Sequence, residues 1–405
     1  MHAPALQCYP ISKTIARLDL DPQIEWHRLI MDVFSATERR IRQMRPAGLV
    51  ACLLLLEFLR AGVWTIPSIS SLNTLALDPF ANPYTGSAQI LFTNWLGPFI
   101  AYSVGISGQW PFTLLHVGFS CLFLLTVGLS LYRTLPLEEW RKAICIFAIL
   151  PVSWTHLYWI GYDSLTLALM ALIMASLHRP WLAFIFGLGL GLQHFEQGLL
   201  GFAALAVALG LSYWRCPGEK TRLRGAAWAI VGLLTGRAIL AMIVRHNHIT
   251  FDHDRSVSFL SELGQAFATS ALGLPFVLAS LLGLGWIIVM RDVKTAPHRW
   301  PLYAALAGAL VVSIGVFDNT RVFACITFPV IACYWLYDRA WLEAVPTSLI
   351  AGLVLAWTVT PWMFCWGGKP YASVLPYDIT VIVHNVAHWP QIPDRQHRSL
   401  WPFLH

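Results

Sequence analysis

Apolar runs of about 16 to 25 residues, bilayer-spanning length for a helix, recur from residue 47 to residue 366, separated by short polar or Gly/Pro-containing stretches. Backbone inside a bilayer must satisfy its own hydrogen bonds, so the runs predict helices. The pattern places about eleven spans, at 47–66, 110–131, 143–160, 163–177, 181–194, 198–214, 225–244, 266–290, 300–316, 322–337 and 345–366. The expected fold class is therefore an all-α polytopic membrane protein.

Three segments fall outside this rhythm. Residues 23–45 space Trp26, Leu29, Ile30, Val33, Phe34, Ile41 and Met44 near helical period, and Arg39, Arg40, Arg42 and Arg45 close the segment. That pattern predicts an amphipathic helix on a membrane surface, leading into the first span. Residues 88–106 are apolar enough to cross, yet counting them as a span would invert every later loop. They are expected to form an interfacial or re-entrant helix, interrupted at Gly97-Pro98, inside a long first external loop. The chain thus divides into a cytoplasmic amphipathic segment (1–46), an integral helical domain (47–366) and an external tail (367–405). The first 45 residues are polar, so no cleavable signal peptide is expected.

Composition agrees with this reading. Hydrophobic residues make up 57% of the chain and charged residues 12%, against roughly 25% charged in soluble domains. The net charge of +6 reads as a topology signal rather than a nucleic-acid footprint. Nineteen of the 27 Lys and Arg fall in the segments placed inside, six in those placed outside, and Arg60 and Arg237 lie within spans. That bias puts the N-terminus inside and the C-terminal tail outside. None of the eight Cys forms a CxxC pair, so they read as small buried hydrophobes rather than a zinc site or disulfide framework.

Charge inside a bilayer is costly and usually faces a partner or a cavity. Here the charged and imidazole side chains of the spans gather toward their outer ends. Glu57 and Arg60 share a helix face at i,i+3, which fits either a self-paired bridge or an Arg lining an outer chamber. Arg237 fits either a partner for Glu57 or a phosphate ligand, because a guanidinium forks onto phosphate oxygens. His116, His156, Tyr162, Asp163, His194 and Glu196 lie at outer span ends. Asp318 and Arg321 stand three apart where a span begins. Asp318 there is either a helix cap or, with Arg321, part of an anion site. Asp78, the one acid of the first external loop, sits in a turn-forming Asp-Pro pair and is either a turn residue or a general base. His246–Asp254 holds three His and two Asp and could carry a divalent metal, although no metalloprotease pattern is present. The glycine-rich run Gly187–Gln193, GLGLGLQ, reads as close helix packing rather than a dinucleotide loop.

With an inside N-terminus, about eleven spans, a long first external loop containing an apolar helix, and external polar elements at Tyr162-Asp163 and Asp318–Arg321, the chain resembles the GT-C superfamily of polytopic glycosyltransferases. The resemblance is architectural. It implies transfer of a sugar from a polyprenyl-phosphate donor to a lipid or glycan acceptor on the outer face, with inversion and without an obligatory cofactor. By position it implies Asp78 as the catalytic base. Arg321, Arg237 and Arg60 would hold the lipid phosphate, and His156, Tyr162, Asp163, His194, Glu196 and Asp318 would line the substrate site. The first loop lacks paired acids and the tail is short, which departs from that pattern. A transporter or lipid flippase is the alternative from another class. It predicts polar groups through the membrane depth and repeat symmetry, and no internal repeat is visible. An acyltransferase using His156 or His194 and a non-catalytic subunit complete the set. The expected location is a bacterial cytoplasmic membrane.

Overall fold

The computed structural model describes residues 22–62, 66, 68–213, 219–251, 255–360 and 362–372. The amphipathic α1 (Pro22–Gln43) leads into α2 (Pro46–Ala61), followed by α3 (Ile69–Leu75), a 3-10 helix (Gly86–Thr93) and α4 (Leu96–Ser103). Then come α5 (Gln109–Thr134), α6 (Leu137–Ile149), α7 (Pro151–Tyr158), α8 (Tyr162–Ala175), α9 (Pro180–Gln193), α10 (Phe195–Tyr213) and α11 (Lys220–His246). The chain continues through α12 (Arg255–Leu272), α13 (Leu274–Leu282), α14 (Gly285–Thr295), α15 (Trp300–Ile314), α16 (Asn319–Ile331), α17 (Arg339–Ala344) and α18 (Thr347–Val359). It closes on an antiparallel hairpin of β1 (Trp362–Trp366) and β2 (Lys369–Ala372).

Among the described residues four segments are long and apolar enough to cross a membrane: Gln109–Thr134, Phe195–Tyr213, Lys220–His246 and Asn319–Leu336. The bent pair α12 and α13 makes a fifth if counted as one span. The protein is thus a helical integral membrane protein, and several of the expected spans are broken rather than straight. Run 143–160 divides at Leu150, which is extended because Pro151 follows and disfavours helix at the preceding residue. Pro151 then opens α7, where its missing N–H costs nothing. Run 266–290 turns by 92° between α12 and α13. The corner is Gly273, where a Cβ would lie 1.9 Å from the Gly368 carbonyl oxygen, so only glycine lets the hairpin turn approach. The last run differs from a helix expected to reach residue 366. Here α18 stops at Val359, because Thr360 precedes Pro361 and is extended, and the hairpin follows.

The loop segment 88–106 also differs from expectation. The break falls at Asn94, between the 3-10 helix and α4, rather than at Gly97-Pro98. Pro98 lies in the first turn of α4, where a proline starts a helix instead of interrupting one. Neither piece is long enough to cross alone, in agreement with an interfacial or re-entrant placement.

Two features organise the interior. Every residue of α16 except Val322 is buried, and α7, α8, α10, α13, α15 and β1 all pack on it. α9 and α11 form the tightest helix pair. Cβ atoms added at Gly187 and Gly191 of α9 would fall 2.3 Å from the carbonyl oxygens of Ala229 and Leu233. Those at Gly232 and Gly236 of α11 would fall 2.2 Å from the carbonyls of Phe184 and Leu188. Contacts ascend together along both helices, so the two run parallel, with α10 as the returning segment of the chain. The glycine-rich run therefore does set close packing.

The charges are less one-sided than the linear pattern implied. Arg321 and Trp335 lie on one continuous helical segment, 14 positions and hence about 20 Å apart. Around Trp335 a second buried ionic cluster occupies segments expected to be cytoplasmic loop. Asp292 is fully buried and accepts from Trp341 Nε1 at 2.8 Å, Trp335 Nε1 at 3.2 Å and Arg299 Nη1 at 3.3 Å. Arg299 also donates to the Tyr334 carbonyl at 2.6 Å and pairs with Asp338. Asp338 in turn caps α17 by accepting from Trp341 N. Each carboxylate oxygen of Asp292 thus has a donor, as a structural cluster requires.

Candidate functional site

At the other end of α16 the accounting does not close. The helix starts at Asn319, whose amide donates to the Ser270 hydroxyl and to the Ser313 and Val316 carbonyls. The hairpin is tied to the same place: Cys365 N donates to Thr320 Oγ1 at 3.0 Å, and Gly368 N to Asn319 Oδ1 at 3.3 Å. These bonds fix the first turn of α16 and so fix Arg321. Its Nη1 donates to the Tyr162 hydroxyl at 2.6 Å and to Asp163 Oδ2 at 2.9 Å. Its Nε contacts an Asp318 carboxylate oxygen. The guanidinium also lies 4.9 Å from the Tyr162 ring centroid and 6.0 Å from that of Trp159.

Asp318 occupies the N-cap position of α16, and its carboxylate turns to Arg321. The residue at the cap position is thus an ion-pair partner of Arg321 as well. Two carboxylates now face one guanidinium. Asp163 Oδ1 is buried without a partner in hydrogen-bond geometry among the described residues, and the one guanidinium is shared between Asp163 and Asp318. A guanidinium already facing two carboxylates has little net charge to offer a phosphate. The expected phosphate role of Arg321 gives way to that of an organiser of two acids.

The contacts continue sideways from Tyr162. Its carbonyl accepts from Gln193 Nε2 at 3.0 Å, and Gln193 Oε1 accepts from Gly97 N at 2.9 Å, which anchors α4 to the site. The Tyr162 and His194 rings lie 5.9 Å apart, and His194 Nδ1 is 3.7 Å from Glu196 Oε2. Next in sequence, the Phe195 ring carries the Arg237 guanidinium at 5.6 Å. Arg237 is half-buried and meets no acceptor among the described residues. It does not pair with Glu57. A continuous strip therefore runs from two under-compensated acids, over Tyr162, His194 and Phe195, to a cation without a counter-charge among the described residues. Trp159, Phe364 and Trp366 stack beside it, with Trp159 to Trp366 at 5.2 Å and Trp159 to Phe364 at 5.7 Å.

The remaining residues separate from this strip. Arg60 is buried, but its Nη1 and Nη2 donate to the carbonyls of Thr358 (3.0 Å) and Thr360 (2.8 Å), and it lies over Trp357. It caps the C-terminal end of α18, where a cation also meets the negative end of the helix dipole. Replacing Arg60 by Met removes two charge-assisted bonds and is expected to cost at least about 1.5–3 kcal/mol. A thermal melt of the solubilised variant checks this, and an unchanged melting temperature would show that the cap contributes nothing. Glu57 makes no ion pair among the described residues, and its Oε2 is buried without a hydrogen-bond partner. His156 is fully buried beside Phe123, with neither ring nitrogen in hydrogen-bond geometry. His116 holds the Gly161 carbonyl through Nδ1 at 2.8 Å.

Asp78 does not join the cluster. Its side chain is exposed and accepts from Phe80 N at 3.0 Å, closing the Asp-Pro turn. Phe80 packs on Trp95, Phe99 and Tyr102. Among the described residues its carboxylate pairs with none of Arg60, Arg237 or Arg321. The metal reading of His246–Asp254 gains no support: no group of three His, Cys, Asp or Glu gathers among the described residues. Asp252, His253 and Asp254 lie outside them, as does the tail from residue 373. The residues that sequence reasoning missed are Gln193, Trp159 and Asn319. Gln193 and Asn319 stand directly beside predicted positions, and Trp159 three residues from two others, but nothing in the linear pattern marked them.

No family model, no curated protein and no solved structure matches the chain. The functional reading rests on the strip alone.

Proposed function

We propose that the protein is a membrane glycosyltransferase that moves a sugar from a polyprenyl-phosphate donor to a hydroxyl acceptor. The observation that carries this reading is the pairing, along one strip, of under-compensated acids with an Arg237 that meets no counter-charge among the described residues, across an aromatic floor. The donor phosphate sits on Arg237, which stabilises the charge that develops as the sugar–phosphate bond breaks. The sugar lies over Tyr162, His194 and Phe195. Asp163 Oδ1 takes the proton of the acceptor hydroxyl as that oxygen bonds to the sugar carbon, and the configuration inverts. Asp163 therefore replaces Asp78 as base. Arg321 and Asp318 hold it, and Glu196 and His194 border the donor. The fuller topology belongs to the same proposal. Joining the broken helices into spans gives about eleven crossings, with the N-terminus inside and the tail outside a bacterial cytoplasmic membrane.

A proton-coupled carrier is the second reading. Glu57 and His156 favour it, because both are buried and carry polar atoms outside hydrogen-bond geometry among the described residues. The two readings part in proteoliposomes supplied with a panel of labelled polyprenyl-phosphate sugars. The enzyme releases free polyprenyl phosphate and transfers label. Asp163→Asn is expected to lower that rate at least about a hundredfold, Arg237→Gln to raise the KM for donor, and Asp78→Asn to leave both unchanged. Proton flux without release of polyprenyl phosphate from any donor overturns the enzyme in favour of the carrier.

A further inference from the structure

At the end of the bundle opposite the strip, α1 does not close fully onto its neighbours. It packs on α18, where Phe34 meets Gly352, and leaves a groove of about 310 Å³ between α1, α2, α6 and α18. The walls are apolar: Leu53, Leu56 and Val354 line the groove, with Ala36 on the α1 side and the exposed thiol of Cys52 on α2. The outer face of α1 is apolar as well, since Ile30 and Met31 are more than half exposed. Such a face suits the headgroup–acyl boundary of a membrane.

The charge at the groove is one-signed. Arg40 lines it, is exposed, and has no acid partner among the described residues. Arg39 and Arg45 are exposed nearby, whereas Arg42 is neutralised by Glu38 at 2.8 Å. An apolar slot with an uncompensated guanidinium at its rim matches a molecule with a hydrocarbon tail joined to an anionic head.

We propose that this groove binds one anionic glycerophospholipid of the surrounding leaflet, with an acyl chain along Leu53, Leu56 and Val354 and the phosphate on Arg40. The bound lipid fills the gap under α1 and fastens the amphipathic helix to α2 and α18. The site is separate from the strip at Arg321 and does not depend on the function proposed for it. A guanidinium suits the phosphodiester because it offers two parallel donors, and each such cation near an anionic lipid surface is worth about 1 kcal/mol.

Cys52 supplies the assay, and Cys121, exposed on α5 away from the groove, supplies the internal control. The delipidated full chain in detergent is alkylated with a maleimide, and modification at each cysteine is mapped by mass. Phosphatidylglycerol and phosphatidylcholine with identical acyl chains are compared, with glycerol phosphate as a free-head probe. The expected result is protection of Cys52, but not Cys121, at lower concentrations of phosphatidylglycerol than of phosphatidylcholine, and none by glycerol phosphate. Arg40→Gln should weaken phosphatidylglycerol protection about fivefold, while Arg39→Gln, off the groove, should change it little. Ala36→Trp fills the slot from an exposed position and should shield Cys52 without lipid. Equal protection by the two lipids would overturn the proposal, leaving an unselective apolar slot. Protection by glycerol phosphate would overturn the lipid assignment in favour of a free anion. A Cys52 that is unreactive before lipid is added would also overturn it, because another part of this chain or a second copy would then occupy the groove.

Discussion

Arg321→Leu is expected to lower stability by about 3–5 kcal/mol, because it strands the buried carboxylates of Asp163 and Asp318 without their shared cation. The substitution also removes the donor to the Tyr162 hydroxyl, so the α8–α16 contact loosens at the same point. The cost comes from what remains behind. Removing all the charge together should therefore rescue the fold: Asp163→Asn and Asp318→Asn combined with Arg321→Gln leaves no uncompensated ion. Thermal or denaturant unfolding of the single and triple variants in one detergent checks this. If the triple variant melts no higher than Arg321→Leu, the loss arises from packing rather than from buried charge. If Arg321→Leu melts like the parent, both acids are already protonated, and the strip has no ionised base to offer. The triple variant should be folded and inactive in sugar transfer, which separates the stability role of the cluster from its chemistry.

The second large effect is expected between α9 and α11. Gly191→Leu or Gly236→Leu must push apart two helices whose backbones touch, since even a Cβ would lie 2.3 Å from the Leu233 oxygen or 2.2 Å from the Leu188 oxygen. Neither carbonyl can move without breaking its own helix. The penalty should therefore exceed the roughly 1–3 kcal/mol usual for overpacking, and the variants should fail to accumulate in membranes. Gly191→Ala should already be measurably destabilised. Gly118→Ala is the matched control: a Cβ there meets nothing within 4 Å, and Ala is favoured over Gly in a helix by about 1 kcal/mol. Normal accumulation of Gly191→Leu would mean that α9 and α11 are not in backbone contact. The consequence reaches the strip, because α9 ends at Gln193 and α11 carries Arg237. Forcing the helices apart moves Arg237 away from Phe195.

How far the sequence could lead differs from residue to residue. Arg321, Asp318, Tyr162 and Asp163 were legible as members of one site, because a charge at a span end is expensive and two such pairs seldom occur by accident. What each does was not legible. Asp318 stands at a helix start, and a cap would have satisfied the linear pattern equally well. Its pairing is with Arg321, a guanidinium that also holds Asp163 arriving from α8. Asp78 shows the opposite case. Its loop position matched the resemblance, yet Phe80 and Trp95 fold the Asp-Pro turn against α4, and its carboxylate is spent on the Phe80 amide. Arg60, three positions from Glu57, fits either a bridge to it or the lining of an outer chamber in the linear pattern. The carbonyls it serves belong to residues 358 and 360, nearly three hundred positions away.

The sequence by itself determined the class of the protein: apolar runs at helical period, the amphipathic entry helix, and the glycines that let two helices touch, whereas the proline breaks at Leu150 and Thr360 emerged only in the structure. The former follow from local sterics and from hydropathy at helical period, and both are written within about twenty residues of chain. Tertiary structure alone decided which charges are satisfied. Asp292 with Arg299 and two indoles is closed, whereas Asp163 and Asp318 with Arg321 are not. The physical reason is that desolvation acts on single residues, but the donors that compensate it come from helices distant in sequence, and only packing brings them together.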